Sequence, residues 1–347
     1  MQNLEIMTAA QILAIPIGEP ERLFSGKAGT LRKEYATLAK IWHPDRNRGA
    51  EEAKVVFEHI AILHDLASKK LDAGTWTKPG VLRIDTVEGK AFELKIVKRR
   101  EFELGETAIA MGRVAYVVEK DHAQLFENGI RQIDGIRYPD AKIEADISRF
   151  MPKIEKLFET EKQRVVVMTK TEDVMPLEDL INHLGGSMPP KHAAWVISSL
   201  LNLVCFFSVT GLTHNAMSPS TVFVSPTYHA AFPLGGWWYA AKSGDPITML
   251  PEETYSLLPG VMAKEKKADI RLDLESVRAI GRAALGDPTG LKLVGRADLP
   301  KPMADFLRLP SSGSAIEDYG TWEKVLKDSF GPRRFVELPI TSSDVYV

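Results

Sequence analysis

Hydrophobic positions in residues 1–72 recur at the spacing of helices, and no segment there alternates as a strand does. A short apolar run at 9–15 is followed by two predicted amphipathic helices, with Thr30 as the N-cap of the first. Their apolar faces consist of Leu31, Tyr35, Leu38 and Trp42, and of Ala53, Phe57, Ile60, Leu63 and Ala67. Pro44 and Gly49 between them prevent one continuous helix, so the pattern predicts a helical hairpin.

After a turn-like segment at 72–80, alternating patterns predict strands, and helical patterns dominate after Pro176. Two short strand-like runs between 221 and 232 interrupt the helical part. Strands are predicted at 81–84, 92–97, 114–118 and 164–168, and a helix at 141–158. Strands followed by helices within one region indicate an α+β domain with a β-rich lobe and a helical lobe.

The run from Ala193 to Leu212 contains no charged residue and is long enough to cross a membrane. It also carries three serines, an asparagine and a threonine, and Gly211 stands near its end. A buried helix in the core of a large domain has the same pattern, and we favour that interpretation. The first residues lack a basic segment followed by an apolar one, so no signal peptide is expected.

Composition is that of an ordinary globular chain, with 44% hydrophobic and 26% charged residues among 347. That length suggests two or three domains. The 44 basic and 46 acidic side chains nearly cancel, so the chain as a whole does not attract polyanions. A single cysteine, Cys205, excludes an internal disulfide and a multi-cysteine zinc site, and it fits a reducing, cytoplasmic location.

The hairpin resembles the J-domain of DnaJ-family co-chaperones over residues 7–72. LRKEYATLAKIWHPDRN at 31–47 is similar to the second helix and following loop of that family, and AEEAKVVFEHIAILHDLAS at 50–68 is similar to its third helix. The family's hallmark tripeptide is present as His43, Pro44 and Asp45. The resemblance implies an all-α domain that docks on a DnaK-type chaperone and stimulates its ATPase, with no chemistry on the domain itself.

Positive side chains dominate the segment 25–48, and the helical spacing places several of them off the apolar face. Such a stripe suits a negatively charged protein surface and is sensitive to salt. A nucleic-acid partner is disfavoured, because the stripe lacks interleaved exposed aromatic residues. The resemblance implies that the stripe contacts the chaperone, that Asp45 contacts an arginine there, and that His43 and Pro44 shape the loop. The expected chaperone-binding residues are Arg32, Lys33, Lys40 and Arg46 with His43, Pro44 and Asp45.

Residues 78–336 resemble the protein-kinase fold without its catalytic groups. GLTHNAMSPSTVFV at 211–224 is similar to the kinase catalytic loop and keeps its histidine as His214. The catalytic aspartate of that loop, the lysine after it and the metal-binding asparagine are replaced by Ala216, Ser218 and Thr221. In AFPLGG at 231–236, Pro233 replaces the metal-binding aspartate of the family and Gly235 matches its glycine. Phosphoryl transfer needs metal-binding carboxylates and a base, so the resemblance implies a catalytically dead pseudokinase with no cofactor and no metal.

DLESVRAIGRAALGD, from Asp273, resembles the kinase helix that begins D-x-x-S-x-G, with Arg278 where glycine is usual. In that family the aspartate accepts hydrogen bonds from the backbone of the catalytic loop. The resemblance therefore implies a structural role for Asp273, whose carboxylate should be buried against N–H groups near His214. The pair Trp237–Trp238 is expected in the core, and His59 and His64 are spaced so that they point apart rather than towards one metal.

These patterns predict a multidomain chain: a J-domain at 1–72, a linker at 73–80, kinase-like lobes at 81–175 and 176–336, and a tail at 337–347. The expected function is that of a co-chaperone, not an enzyme. Its kinase-like α+β bilobal domain would dock a client or partner protein, away from any membrane. Two alternatives stay open: an atypical nucleotide-dependent transferase with relocated catalytic residues, and a structural interaction protein with a vestigial J-domain.

Overall fold

The computed structural model describes residues 4–47, 51–74 and 76–346. It is a mixed structure of helices and antiparallel sheets that divides into two compact units. The first unit consists of Met1–Ala110, Val114–Val117 and Leu157–Val166. The second consists of Met111–Arg113, Val118–Lys156 and Val167–Val347.

Three helices open the first unit: α1 (Ala9–Leu13), α2 (Ala28–Trp42) and α3 (Glu51–Asp72). The predicted helical hairpin is present, and Leu38, Ile60 and Leu63 are completely buried in its core. The prediction of Thr30 as N-cap is wrong, because α2 begins earlier, with Lys27 at the N-cap position. The Thr30 hydroxyl instead donates to the Lys27 carbonyl oxygen at 3.0 Å, within the first turn.

Two antiparallel hairpins follow: β1 (Val81–Asp85) with β2 (Ala91–Lys95), and β3 (Lys98–Phe102) with β4 (Gly105–Ile109). The first hairpin lies where the alternating pattern predicts it. The second was not predicted, because the sequence KRREF has no apolar alternation. In the structure β3 is half-buried for most of its length, and Ala108 and Ile109 of β4 supply the buried side.

Charged contacts hold the helices of the first unit to its strands. The Lys70 ammonium donates to the Gly18 carbonyl oxygen at 2.9 Å and to the Glu21 carboxylate at 2.7 Å. The Arg99 guanidinium of β3 donates to the same carbonyl at 3.1 Å and makes two hydrogen bonds to Glu106. The segment 73–80 therefore joins two parts of one compact unit that are hydrogen-bonded to each other.

The next elements are β5 (Arg113–Glu119), α4 (Ala123–Asp134), α5 (Ala141–Ile147), β6 (Lys153–Glu159) and β7 (Gln163–Thr169). Together with the second hairpin these strands form one five-stranded sheet in the order β3-β4-β5-β7-β6. The predicted helix at 141–158 is wrong beyond Ile147. Pro152, which has no N–H to donate, stands before the residues that form β6.

The remaining elements belong to the second unit. The strands are β8 (Met175–Pro176), β9 (Leu212–Thr213), β10 (Val222–Ser225), β11 (Ala230–Pro233) and β12 (Ala241–Lys242). The helices are α6 (Leu177–His183), α7 (Pro190–Thr210), α8 (Glu252–Tyr255), α9 (Gly260–Glu265), α10 (Ile270–Ala284), α11 (Lys301–Arg308), α12 (Ala315–Phe330) and α13 (Ser342–Val345).

Helix α7 carries the charge-free run and forms the centre of the second unit. Among the described residues it is the one helix long and apolar enough to cross a membrane, and 61% of its most apolar window is buried inside the protein. Helices α10 and α12 pack along it. A buried core helix was the favoured interpretation of this run, and its packing agrees with that.

Helix α4 packs tightly on the 3₁₀ turn Trp237–Tyr239. The Phe126 ring stacks on Trp238 with 5.6 Å between centroids and 11° between planes. The Asn128 side-chain amide donates to the carbonyl oxygens of Trp238, at 3.0 Å, and Ala240, at 2.9 Å. Both tryptophans are buried, which confirms the prediction that this pair packs in the core.

Gly129 is the position at which this packing is most easily tested. A Cβ atom there would lie 2.6 Å from Cε3 of Trp238, whereas nothing lies within 4 Å of the same atom built on Gly320 of α12. We expect Gly129→Ala to lower the free energy of unfolding by about 1–3 kcal/mol through overpacking. Gly320→Ala should instead raise it by up to about 1 kcal/mol, as alanine does within a helix.

Urea unfolding of the two full-length variants measures both effects. A Gly129→Ala variant as stable as Gly320→Ala would show that α4 is free to move away from Trp238.

Candidate functional site

The loop after α2 is a tight, hydrogen-bonded turn. His43 is extended and ends the helix, and its carbonyl oxygen accepts from the backbone N–H of Arg46 at 3.0 Å. The Asp45 N–H donates to Nδ1 of His43 at 3.1 Å. The Asn47 side-chain amide donates to the carbonyl oxygens of Ile41, at 2.8 Å, and His43, at 3.1 Å. These contacts give the loop one defined shape.

Within this turn His43 acts as a support, and Asp45 is presented to solvent. The His43 ring meets the Phe57 ring edge-on at 5.4 Å, so it is anchored to α3. Because its Nδ1 accepts a hydrogen bond, the proton of the neutral ring lies on Nε2. The Asp45 side chain is 84% exposed, and its carboxylate lies 3.6 Å from Nδ1 of His43. A carboxylate on a fixed turn is available to a partner without a large loss of entropy.

The basic side chains of this region are exposed and uncompensated. Within the described part of the chain, none of the four predicted to form a stripe has a carboxylate within 4.0 Å. All four are exposed: Arg32, Lys33, Lys40 and Arg46. Arg48, which extends the basic segment in the sequence, lies outside the described residues. The hairpin therefore presents a positive surface next to the single exposed carboxylate of its turn.

A second candidate site is the loop between β9 and β10, and it is buried. The Asp273 carboxylate of α10 is fully buried and accepts from the backbone N–H groups of His214 and Asn215, each at 2.8 Å. These are the hydrogen bonds that the sequence analysis predicts for Asp273. Asn215 has a φ of 64°, and its side-chain amide donates to the Tyr239 carbonyl oxygen at 2.9 Å, which fixes this left-handed conformation.

Burial controls the ionisation of His214 in this loop and of Asp273 on α10. It raises the pKa of Asp273 to about 7, against the opposing effect of the two N–H groups. It lowers the pKa of His214 to about 4, so the imidazole is neutral at physiological pH. The His214 ring packs between Phe207 and Trp237, with no exposed surface. A neutral ring enclosed in this way has no access to a substrate proton.

The residues at the predicted degenerate kinase positions lie close together, and several of their polar groups form hydrogen bonds with one another. The Thr221 hydroxyl donates to the Ala216 carbonyl oxygen at 2.7 Å and accepts from the Ser218 N–H at 2.9 Å. The Gly235 N–H donates to the Thr221 carbonyl oxygen at 2.9 Å. The carbonyl oxygen of Pro233 accepts from the Trp237 indole. None of these side chains carries a charge, and the described residues contain no cluster of three metal-ligating side chains.

Two sets of residues were missed by sequence reasoning. The side-chain amides of Asn128 and Asn215 donate to backbone carbonyl oxygens of the Trp237–Tyr239 turn or its neighbour. No local sequence pattern predicts such a contact. In the tail, the Ser342 hydroxyl donates to the Glu172 carbonyl oxygen at 2.6 Å and the Tyr346 hydroxyl to Asp179 at 2.8 Å. A capping box between Thr341 and Asp344 was the available signal that this tail is structured.

A scan of protein-family models finds no match for this chain, and a search of curated proteins finds none. What the chain can do must therefore be inferred from its own residues. Two arrangements of residues bear on the function of the chain: the exposed turn with its positive surface, and the buried loop held by Asp273.

Asp273→Ala should destabilise the full-length protein, because two buried N–H donors lose their acceptor at about 1–3 kcal/mol each. The loss should depend on pH. The pKa of Asp273 is about 7 in the folded protein instead of the ordinary 3.8. Between these two pH values the folded protein therefore holds a proton on Asp273 that the unfolded chain has released. The side chain therefore favours folding most at the acid end of the range, and this contribution disappears as the pH rises through 7.

Denaturant unfolding at about pH 5 and about pH 8 should thus show the larger loss at the lower pH. Asp65→Ala is the matched control. The Asp65 side chain is 67% exposed, and its ion pair with Lys69 is worth at most about 1 kcal/mol. A loss that grows from pH 5 to pH 8 would mean that the N–H groups outweigh burial and that the charged carboxylate is the stabilised form.

Proposed function

We propose that this chain is a co-chaperone that stimulates the ATPase of a DnaK-type chaperone through its N-terminal hairpin. The observation that carries the proposal is the turn at 43–47, in which an anchored histidine fixes an exposed aspartate at the end of a basic helix. This arrangement has the chemistry expected of a docking surface rather than of a catalytic one.

The charges of the hairpin suit a negatively charged partner surface. Exposed lysine and arginine side chains without intramolecular partners attract a negatively charged surface within about one Debye length, which is about 10 Å at 0.1 M salt. Such attraction increases the rate of encounter, and the single carboxylate of Asp45 then selects an arginine or lysine at the contact. Residues on the hairpin need only bind, because the hydrolysis takes place in the chaperone.

A kinase-like arrangement of residues 81–336 is the second part of the proposal. The strand order β3-β4-β5-β7-β6 and the position of α4 directly after the third strand of this sheet support it. The long buried helix α7 before the loop, and the contact of Asp273 with that loop, support it as well. In a kinase these features surround a catalytic centre, and here the corresponding positions carry alanine, serine, threonine and proline.

We assign to this region the task of docking a client or partner protein rather than of catalysis. Magnesium takes carboxylate and phosphate oxygens as ligands, and positions 216 and 233 supply neither. The loop is also tied to its surroundings through Asp273, Asn215 and Thr221. The side-chain polar atoms of His214 and Asn215 that lack a hydrogen bond are buried, so they are not accessible to a nucleotide. A rigid region without chemistry is well suited to presenting a surface.

His43→Gln should abolish stimulation of a cognate DnaK-type ATPase, measured as single-turnover ATP hydrolysis. Glutamine has no ring to pack on Phe57, and its flexible amide does not hold the Asp45 N–H in one place. His183→Gln, the same change at an exposed histidine of α6, is the matched control and should stimulate as the natural chain does. Thermal unfolding should be cooperative for both variants, with a small decrease in the midpoint for His43→Gln, because the His43 side chain is half-exposed.

Charge reversal tests the positive surface separately. Lys33→Glu with Lys40→Glu should weaken stimulation more at low salt than at high salt, because high salt already screens the attraction between the natural chain and its partner. Lys324→Glu, at an exposed position of α12, should have no such effect.

Equal stimulation by His43→Gln and the natural chain would refute the co-chaperone proposal.

Incubation with labelled ATP and magnesium should label neither the protein nor a general protein substrate. The physical reason is the absence of a metal-binding carboxylate and of a base at positions 216 and 233. Labelling that persists after chaperones are removed would instead support a transferase with relocated catalytic residues.

A further inference from the structure

A cluster of aromatic and histidine side chains that the proposed function does not use joins the tail to the body of the second unit. The ring of His229, in the turn between β10 and β11, lies between two other rings. It stacks on Trp195 of α7 with 4.9 Å between centroids, and on Phe335 of the tail with 4.1 Å. His192 of α7 meets it edge-on at 6.3 Å. The tail is thus connected to α7 through one titratable ring.

The residues 331–340, here called the strap, lie between α12 and α13. Within the part of the chain that the structure describes, no backbone–backbone hydrogen bond joins 332–337 to other residues. The backbone of Val336 hydrogen-bonds to the His229 ring, next to the stacked ring of Phe335. Phe335 is 64% exposed, so much of its surface already faces solvent. The ring and hydrogen-bond contacts that the structure shows for 332–337 are therefore made with one imidazole.

The surroundings of His229 suit a neutral imidazole better than a charged one. Its Nε2 atom is buried and has no hydrogen-bond partner in the described structure, and the same holds for Nδ1 of His192. A charged imidazole carries an N–H on both nitrogens, so protonation would leave a buried donor without an acceptor. Burial lowers the pKa of His229 and His192 lowers it further, against the opposing effect of the hydrogen bond to Val336.

No carboxylate among the described residues compensates a charge on this ring. Charged residues lie on the elements that contact it and at the base of its turn: Lys191, Arg333, Arg334, Glu337 and Asp173. None of them forms an ion pair with either histidine in the described structure. The carboxylate of Asp173 accepts from the Ser225 hydroxyl instead. A proton on His229 would thus face a second histidine and more basic than acidic neighbours.

We propose that the strap is a pH-sensitive closure that opens when His229 becomes protonated. Opening moves Phe335 off the imidazole and gives the charged ring access to water. The contact with Trp195 remains after opening, so the attraction between a cation and an aromatic face opposes opening through Phe335 alone. Helix α13 should stay attached, because the Ser342 hydroxyl donates to a carbonyl oxygen, which does not titrate.

The direction of the pH dependence follows from the lowered pKa of His229. In the closed form the ring takes up its proton at a lower pH than the ordinary 6.5 expected of a solvated ring in the open form. The closed form is therefore fully favoured above pH 6.5 and loses stability as the pH falls below that value. Each unit of difference between the two pKa values changes the opening equilibrium about tenfold.

The strap does not depend on the co-chaperone proposal, since its residues lie outside the hairpin and the loop held by Asp273. Fluorine NMR of the full chain with 4-fluorophenylalanine at position 335 reports whether this ring is stacked. A synthetic peptide of residues 331–347 with the same label gives the chemical shift of the free ring. From about pH 7.5 to about pH 5.5, the fraction of chains at the free shift should increase severalfold.

His229→Phe keeps a ring beside Trp195 that cannot titrate, so the strap should stay closed at both pH values. His192→Gln removes the neighbouring charge and should reduce the increase caused by acid. This second variant decides the question if the φ of 48° at position 229 keeps the phenylalanine variant from closing at all. His122→Gln, at a half-buried histidine outside this cluster, is the matched control and should open as the natural chain does.

A natural chain that keeps the stacked shift at about pH 5.5 would overturn the proposal. So would a His229→Phe variant that closes at the higher pH and opens with acid as the natural chain does, or a His192→Gln variant whose opening is unchanged. Circular dichroism at each pH checks that the rest of the chain is folded. Unfolding of the whole chain together with the strap would count against a local closure.

Discussion

The arrangement of the second unit depends on the two hydrogen bonds that the buried carboxylate of Asp273 accepts. It receives the N–H groups of two successive residues, and this requires the backbone to turn so that both point the same way. Asn215 consequently adopts a left-handed conformation, and its side chain reaches the Tyr239 carbonyl oxygen. The turn that contains Tyr239 in turn receives α4 through Trp238 and Asn128. One side chain of α10 therefore positions three other segments.

This chain of contacts explains how the loop keeps one fixed shape. A charged catalytic residue needs solvent or substrate to balance its charge, whereas the hydroxyls of Ser218 and Thr221 find partners inside the loop itself. His214 is held neutral by burial, and its ring contributes packing against Trp237. Structure of this kind requires satisfied hydrogen bonds and good packing, and neither depends on the ability to bind a nucleotide.

Local patterns predicted those elements whose burial is visible in their own sequence. The hairpin α2–α3, helix α7 and strands β10 and β11 all carry apolar residues at the spacing of their element. The strand β3 was missed because it is rich in charge, and β6 was mistaken for helix although Pro152 precedes it. The exposure of Arg32, Lys33 and Lys40 followed from helical spacing alone. The contact of Asp273 came instead from a resemblance, because a hydrogen bond between residues 59 apart leaves no periodic signal.

The polar chemistry of this molecule is divided by burial, and that division limits its function. Most polar groups of the loop at 214–221 form hydrogen bonds within the protein, so their energy goes into stability. The basic side chains of the stripe beside Asp45 have no ion pair among the described residues, and they lie on the surface. Unpaired surface charge in water costs little to keep and retains its attraction for a partner of opposite sign. This distribution supports the proposed role in binding another protein, in which the fixed turn at 43–47 would supply selectivity.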